Sequence, residues 1–159
     1  STVYHQFGTV SAVAAAGWAR HFPEMEAISA APYTAQEGPV VRLEQVLTRL
    51  VELAKQNRGA TEGLLAEVVA ESGPEPPRNR PRRIRENIPM PSLLVPHVRE
   101  LRTRGQLRRR VDTAGLVQSM LALATVRSLM AGHEPVERIV DDALGLVLEG
   151  AMVRSSNPR

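Results

Sequence analysis

Apolar positions recur at three- and four-residue steps over most of the chain, and that spacing predicts helices. The clearest case runs from Val40. Leu43, Val46, Leu47, Leu50, Leu53 and Ala54 form one face, with Arg42, Glu44, Arg49, Glu52 and Lys55 outside it. Gly59 is expected to stop this helix, and Thr61, or Ala60 with it, to start a shorter one through Leu64, Leu65, Val68 and Val69. Upstream, an alanine-rich helix carries Val13, Ala16 and Trp18 as far as His21-Phe22-Pro23, and Met25 and Ile28 lead to a break at Gly38-Pro39. Downstream, Ser92 can cap a helix bearing Leu93, Leu94, His97, Val98 and Leu101, which ends before Gly105. Asp112 is placed as the N-cap of the next one.

The last two helical patterns, Thr113 to Val153, form a hairpin turned by Ala131-Gly132-His133-Glu134-Pro135. Its second arm carries two apolar stripes: Val136, Val140, Leu144, Val147 and Ala151, and beside them Ile139, Ala143, Leu146, Gly150 and Val153. One stripe suffices for the chain's own core, so the second predicts a partner. The hairpin is therefore read as half of a symmetric dimer interface made by Leu116, Met120, Leu123, Ile139, Ala143, Leu146 and Gly150. The plainer reading is the central hairpin of a monomeric bundle.

Composition narrows the class to all-α. Aromatic residues make up 3% of the 159 positions, and strand-like alternation bounded by turns is hard to find. The absence of cysteine excludes thiolate chemistry, zinc-finger ligation and disulfides and fits a cytoplasmic compartment, and with no run of about eighteen uninterrupted apolar residues a soluble protein is expected. Charge is unevenly spread. Arg78 to Arg110 holds eleven arginines against Glu86 and Glu100, a local net of +9 within a chain of net +3. Residues 74–91, rich in Pro and Arg, are expected to be an extended mobile loop, and 154–159 a frayed tail. The basic segment could draw acidic partners or simply be solvated. With little aromatic interleaving, it is not expected to read bases itself.

Thr2-Val3-Tyr4-His5-Gln6-Phe7-Gly8, followed by a helix starting near Val10, resembles the end of the recognition helix and the start of the linking helix in the TetR family of transcriptional regulators. Gly105-Gln106-Leu107-Arg108 followed by Asp112 and a long apolar helix is similar to the turn that precedes that family's two dimerising helices. The resemblance implies a multi-helix bundle of the TetR C-terminal type that dimerises through its last two helices. Residues 1–8 would be the remnant of a helix-turn-helix domain and 9–153 the ligand-binding and dimerisation domain. It places Ser1, Thr2, Tyr4 and His5 toward double-stranded DNA, with Val3 and Phe7 inward. One departure stands out. Where the family usually carries a Lys to meet a phosphate, this chain has Val10.

Chemistry of other kinds finds little support in the residues. His5, His21, His97 and His133 are scattered, Asp141 and Asp142 are adjacent rather than facing, and Ser119 and Ser128 lack a partnered His. No catalytic residue, metal site or cofactor is expected. The resemblance implies instead a cavity between the linking helix and those after it that binds an effector. The candidate lining is Trp18, Phe22, Met25, Leu50, Leu93, Leu94, His97 and Met120, residues that at helical spacing could equally be plain core. Few charges are available there, so the effector is expected to be a small, mostly apolar molecule, with His97 or Tyr33 giving one polar contact. The implied function is a ligand-responsive regulator, a repressor released from a palindromic operator. The alternative is a dimeric sensor or protein-interaction module that does not bind DNA.

Overall fold

A computed structural model describes residues 10–72 and 88–153. Seven helices occupy them: α1 (Val10–Ala19), α2 (Phe22–Ala30), α3 (Pro39–Gln56), α4 (Arg58–Glu71), α5 (Pro91–Thr103), α6 (Thr113–Met130) and α7 (Val136–Glu149). The fold is all-α. Among the described residues the sole extended pairing is an isolated bridge between Leu107 and Met152. It is held by Arg108 N–H to the Ala151 carbonyl and Val153 N–H to the Gln106 carbonyl, each 2.9 Å.

The bundle is organised around α3, which packs against α2, α4, α5, α6 and α7. Its predicted apolar face, Leu43, Val46, Leu47, Leu50, Leu53 and Ala54, is buried throughout, and Val51 joins it. Pro39 supplies the first turn, where its missing N–H costs no helical bond. Arg42, expected outside, is buried instead. Its guanidinium donates to the carbonyls of Ile28 (2.6 Å), Ala31 (2.7 Å) and Pro32 (3.2 Å) and pairs with Glu37 at 3.3 Å. One long cation thus satisfies the frayed end of α2, which explains why a charge is tolerated there.

Gly59 does not end α3. The chain turns at Asn57, and Gly59 lies in the first turn of α4. Gly105 closes α5 with a positive φ of 69°. The Gln106 N–H reaches the Leu101 carbonyl and the Gly105 N–H that of Arg102, the paired pattern of a Schellman stop, for which glycine is the low-cost residue. Asp112 caps α6 as expected, its carboxylate accepting from Ala114 N–H at 3.0 Å. Ile88 is buried and Pro91 opens α5, so residues 88–91, expected to belong to the mobile loop, join the packed bundle; residues 74–87 of that loop and the tail 154–159 lie outside the described residues.

The hairpin departs from its expected division of labour. Met120, Ile139 and Ala143, assigned to a dimer surface, are fully buried inside the protomer and have no surface to offer a partner. Leu146, on the same stripe of α7, is 68% exposed, and Gly150 and Val153 are exposed too. The stripe is therefore divided along its length. Helix α7 packs against α3 and α6, and along this stripe Ile139 and Ala143 are covered while Leu146, Gly150 and Val153 are not. On α6, Leu116 and Leu123 are half-buried, while Val126 and Met130 are exposed.

Candidate functional site: an apolar cavity beside Trp18

A cavity of about 470 Å³ lies where α1, α3, α4, α6 and the approach to α5 meet. That volume falls within the roughly 300–1,000 Å³ typical of small-molecule sites. Trp18 and Leu50 contribute to its wall from α1 and α3. Leu64, Leu65 and Val68 come from α4, Ile88 to Ser92 from the approach and first residues of α5, and Gln118, Leu121, Ala122 and Thr125 from α6. Trp18 is fixed in place: its indole N–H donates to the Thr61 hydroxyl at 2.8 Å, and that hydroxyl donates onward to the Asn57 carbonyl at 3.0 Å. Both side chains are fully buried, so the one tryptophan of the chain is a rigid wall rather than a mobile gate.

Of the eight residues expected to line an effector cavity, Trp18 and Leu50 do so. Phe22, Met25, Leu94 and Met120 are core residues that border neither this cavity nor the cleft described next. Leu93 and His97 face that separate, more polar cleft, of about 510 Å³, with Glu26, Ser29 and Tyr33. The expected polar contact from His97 or Tyr33 therefore falls outside the apolar cavity. What the sequence reading missed is the contribution of α4 and of Ile88 to Ser92. The available signal was two apolar residues, Ile88 and Met90, alternating with Pro89 and Pro91 at the end of a charged run.

In the polar cleft the Ser29 hydroxyl donates to the Leu93 carbonyl at 2.8 Å. It therefore meets His97 Nε2, 3.0 Å away, as acceptor, and Nε2 carries the imidazole proton. Nδ1 then accepts from the Tyr33 hydroxyl at 2.6 Å. Burial, with the nearby Arg42 charge second, pushes the His97 pKa below its ordinary value and keeps the ring neutral. Burial and the carboxylate of Glu100 push Tyr33 upward, against the opposing charges of Arg104 and Arg42, whose guanidiniums lie 5.6 and 5.7 Å from its ring. With its proton committed to a main-chain carbonyl, Ser29 is not activated as a nucleophile. The trio is a closed hydrogen-bond relay joining α2, the loop after it and α5.

Among the described residues no group of three or more His, Asp or Glu side chains is placed to hold a metal ion. None of their helices is long and apolar enough to cross a membrane. Ser1, Thr2, Tyr4 and His5, expected to face DNA, lie outside the described residues.

No family model and no curated protein sequence matches the chain. In structure it is similar to Thermus thermophilus FadR, a TetR-family transcriptional repressor solved in complex with lauroyl-CoA. The TM-score is 0.72 at 19% identity, covering 99% of this chain and 81% of that one. At that identity the likeness establishes a shared fold.

Proposed function

We propose that the chain is the sensing and dimerising part of a ligand-responsive transcriptional repressor, released from a palindromic operator when an apolar effector enters the cavity beside Trp18. The observation that carries this reading is the cavity itself: apolar over most of its wall, of small-molecule size, and bounded by the helix that follows the recognition-like residues. The shared fold with a repressor that was solved with an acyl-CoA favours an acyl chain as the effector class. Each methylene moved from water into such a site contributes about 0.8 kcal/mol.

Dimerisation in this reading uses the outer side of the hairpin. Leu116, Ser119, Leu123, Val126 and Met130 follow one another at alternating steps of three and four, the spacing of a helical seam, and none of them is buried. Leu146, Gly150 and Val153 continue the surface on α7, with open space beside Gly145 and Gly150 for close approach. Ser1, Thr2, Tyr4 and His5 then belong to a recognition helix that enters the major groove, with Val3 and Phe7 holding it from within. The effector acts by preferring one spacing of the two DNA-reading heads over the other.

The test is a mobility-shift titration of a palindromic operator with the protein carrying its complete helix-turn-helix head. The complex is expected to dissociate as an acyl effector is added; a complex that survives saturating effector refutes release. A second reading, a dimeric sensor without DNA binding, draws on Val10, a 66% exposed apolar residue where the family presents a Lys. Absence of any retarded operator would favour it.

A further inference from the structure

Every described residue lining the apolar cavity is uncharged, and its few polar groups are not equivalent. The Trp18 N–H is spent on Thr61. The Ser92 hydroxyl spends its proton on the Pro89 carbonyl at 2.7 Å. Gln118 is exposed. Thr125 differs from all three. Hydroxyls inside helices commonly turn back to the carbonyl one turn earlier. Thr61, Ser72, Thr103 and Ser128 do so here, onto Asn57, Val68, Arg99 and Ala124. The Thr125 hydroxyl has no hydrogen-bond partner among the described residues, although the residue is buried and lines the cavity. Thr125 also shares a face of α6 with Gln118, Leu121 and Ala122, at i, i+3, i+4 and i+7, so the strip of helix that walls the cavity carries one hydroxyl with no partner among the described residues, on a mostly apolar surface.

We infer that this cavity selects an uncharged headgroup, an acyl ester or thioester rather than a free fatty acid, and that Thr125 reads it by donating a hydrogen bond to the acyl carbonyl oxygen. The inference rests on the proposal that the cavity takes an acyl effector. A neutral carbonyl needs one donor, and Thr125 supplies one. A carboxylate needs several donors or a cation, and when buried without them its charge is penalised so heavily that it binds a proton first. The free acid should therefore enter only as its neutral form, and less well as pH rises. Such a sensor distinguishes an activated or esterified acyl chain from the product of its hydrolysis.

The experiment titrates the 159-residue chain with methyl dodecanoate and with dodecanoate at pH 8, following Trp18 emission and, in parallel, the heat of binding. The ester is expected to bind at least about tenfold more tightly than the acid, and the acid to gain affinity as pH is lowered. Thr125→Val, which keeps the side-chain volume, should weaken the ester about five- to tenfold, and Thr125→Ser should stay within about twofold of the parent. Equal affinity for acid and ester at pH 8, or unchanged ester affinity in Thr125→Val, overturns the headgroup assignment while leaving the cavity as an acyl site. No heat and no emission change with either ligand overturns the acyl reading and this inference with it. The ester–acid comparison requires no variant and stands whether or not Thr125→Val folds.

Discussion

The bond from Trp18 to Thr61 ties α1 to α4, and its removal has a calculable cost. Thr61→Val keeps the shape of the side chain but takes away the acceptor 2.8 Å from the indole N–H. The Asn57 carbonyl also loses a donor, yet it still receives the Thr61 backbone N–H at 2.9 Å, and the Ala54 carbonyl loses only a long contact of 3.4 Å, so the main loss is the buried indole N–H, left without its acceptor. An unsatisfied buried donor costs about 1–3 kcal/mol. For a domain of this size that lowers Tm by about 2–12 °C at roughly 2–4 °C per kcal/mol. The diagnostic measurement is a double-mutant cycle by chemical denaturation. With Trp18→Phe the donor is already gone, so Thr61→Val should then cost close to nothing, and the coupling energy should equal most of the single-variant loss. If Thr61→Val costs the same in both backgrounds, the loss comes from elsewhere and the proposed link between α1 and α4 is wrong.

Four further variants follow from the geometry, one of them read through a pH titration. Arg42→Met keeps the aliphatic stem but leaves three main-chain carbonyls without their donor, and should lower stability by about 1–3 kcal/mol in urea denaturation. Asp112→Ala removes the α6 cap and should cost about 1 kcal/mol by the same assay. Because the His97 pKa is depressed in the fold, the unfolded chain binds the extra proton first as pH falls. Its share of stability is thus complete above about pH 6.5 and lost below it, so Tm should fall on acidification and fall less in His97→Gln. Leu123→Glu combined with Leu146→Glu should yield a monomer in sedimentation velocity with unchanged helicity by circular dichroism; an unchanged mass would count against the hairpin as the dimer seam.

Much of the fold was legible because it is local. The α3 face from Leu43 to Ala54, the Asp112 cap and the Gly105 stop each depend on residues within a turn or two of one another, and each appears as the spacing implies. The two stripes of α7 were also correctly seen as apolar. Their fates were not legible, because Ile139 and Leu146 occupy nearly the same side of the helix, yet one is buried and the other exposed. The cavity was half-legible for a related reason. Trp18 and Leu50 suggested themselves as large apolar residues on the expected helices, but large size also describes Phe22, Met25, Leu94 and Met120, which fill the core. A cavity lies where packing is incomplete, and that is settled by which helices approach one another rather than by the residues of any one of them. The most informative residue on its wall, Thr125, is a small polar position on an apolar helix, a type that periodicity passes over.

The placement of the cavity bears on how occupancy could be felt at a distance. Helix α1 packs chiefly along α4, whereas α2, α5, α6 and α7 all gather on α3. The cavity opens between these two groups, with Trp18, Leu64, Leu65 and Val68 on one side and Leu50, Leu121 and Thr125 on the other. A ligand that fills it therefore presses on a seam, not on the interior of either unit. Seams between well-packed bodies yield by rigid displacement, since the bodies themselves resist deformation. Because Trp18 is bonded to Thr61, α1 and α4 must shift together, and any shift reaches Val10, where the chain leads back toward the recognition-like residues. In the proposed repressor the effector needs no pathway of small adjustments. It has only to favour one of two positions of a paired helix, and the energy it can exert is the difference in its affinity for them.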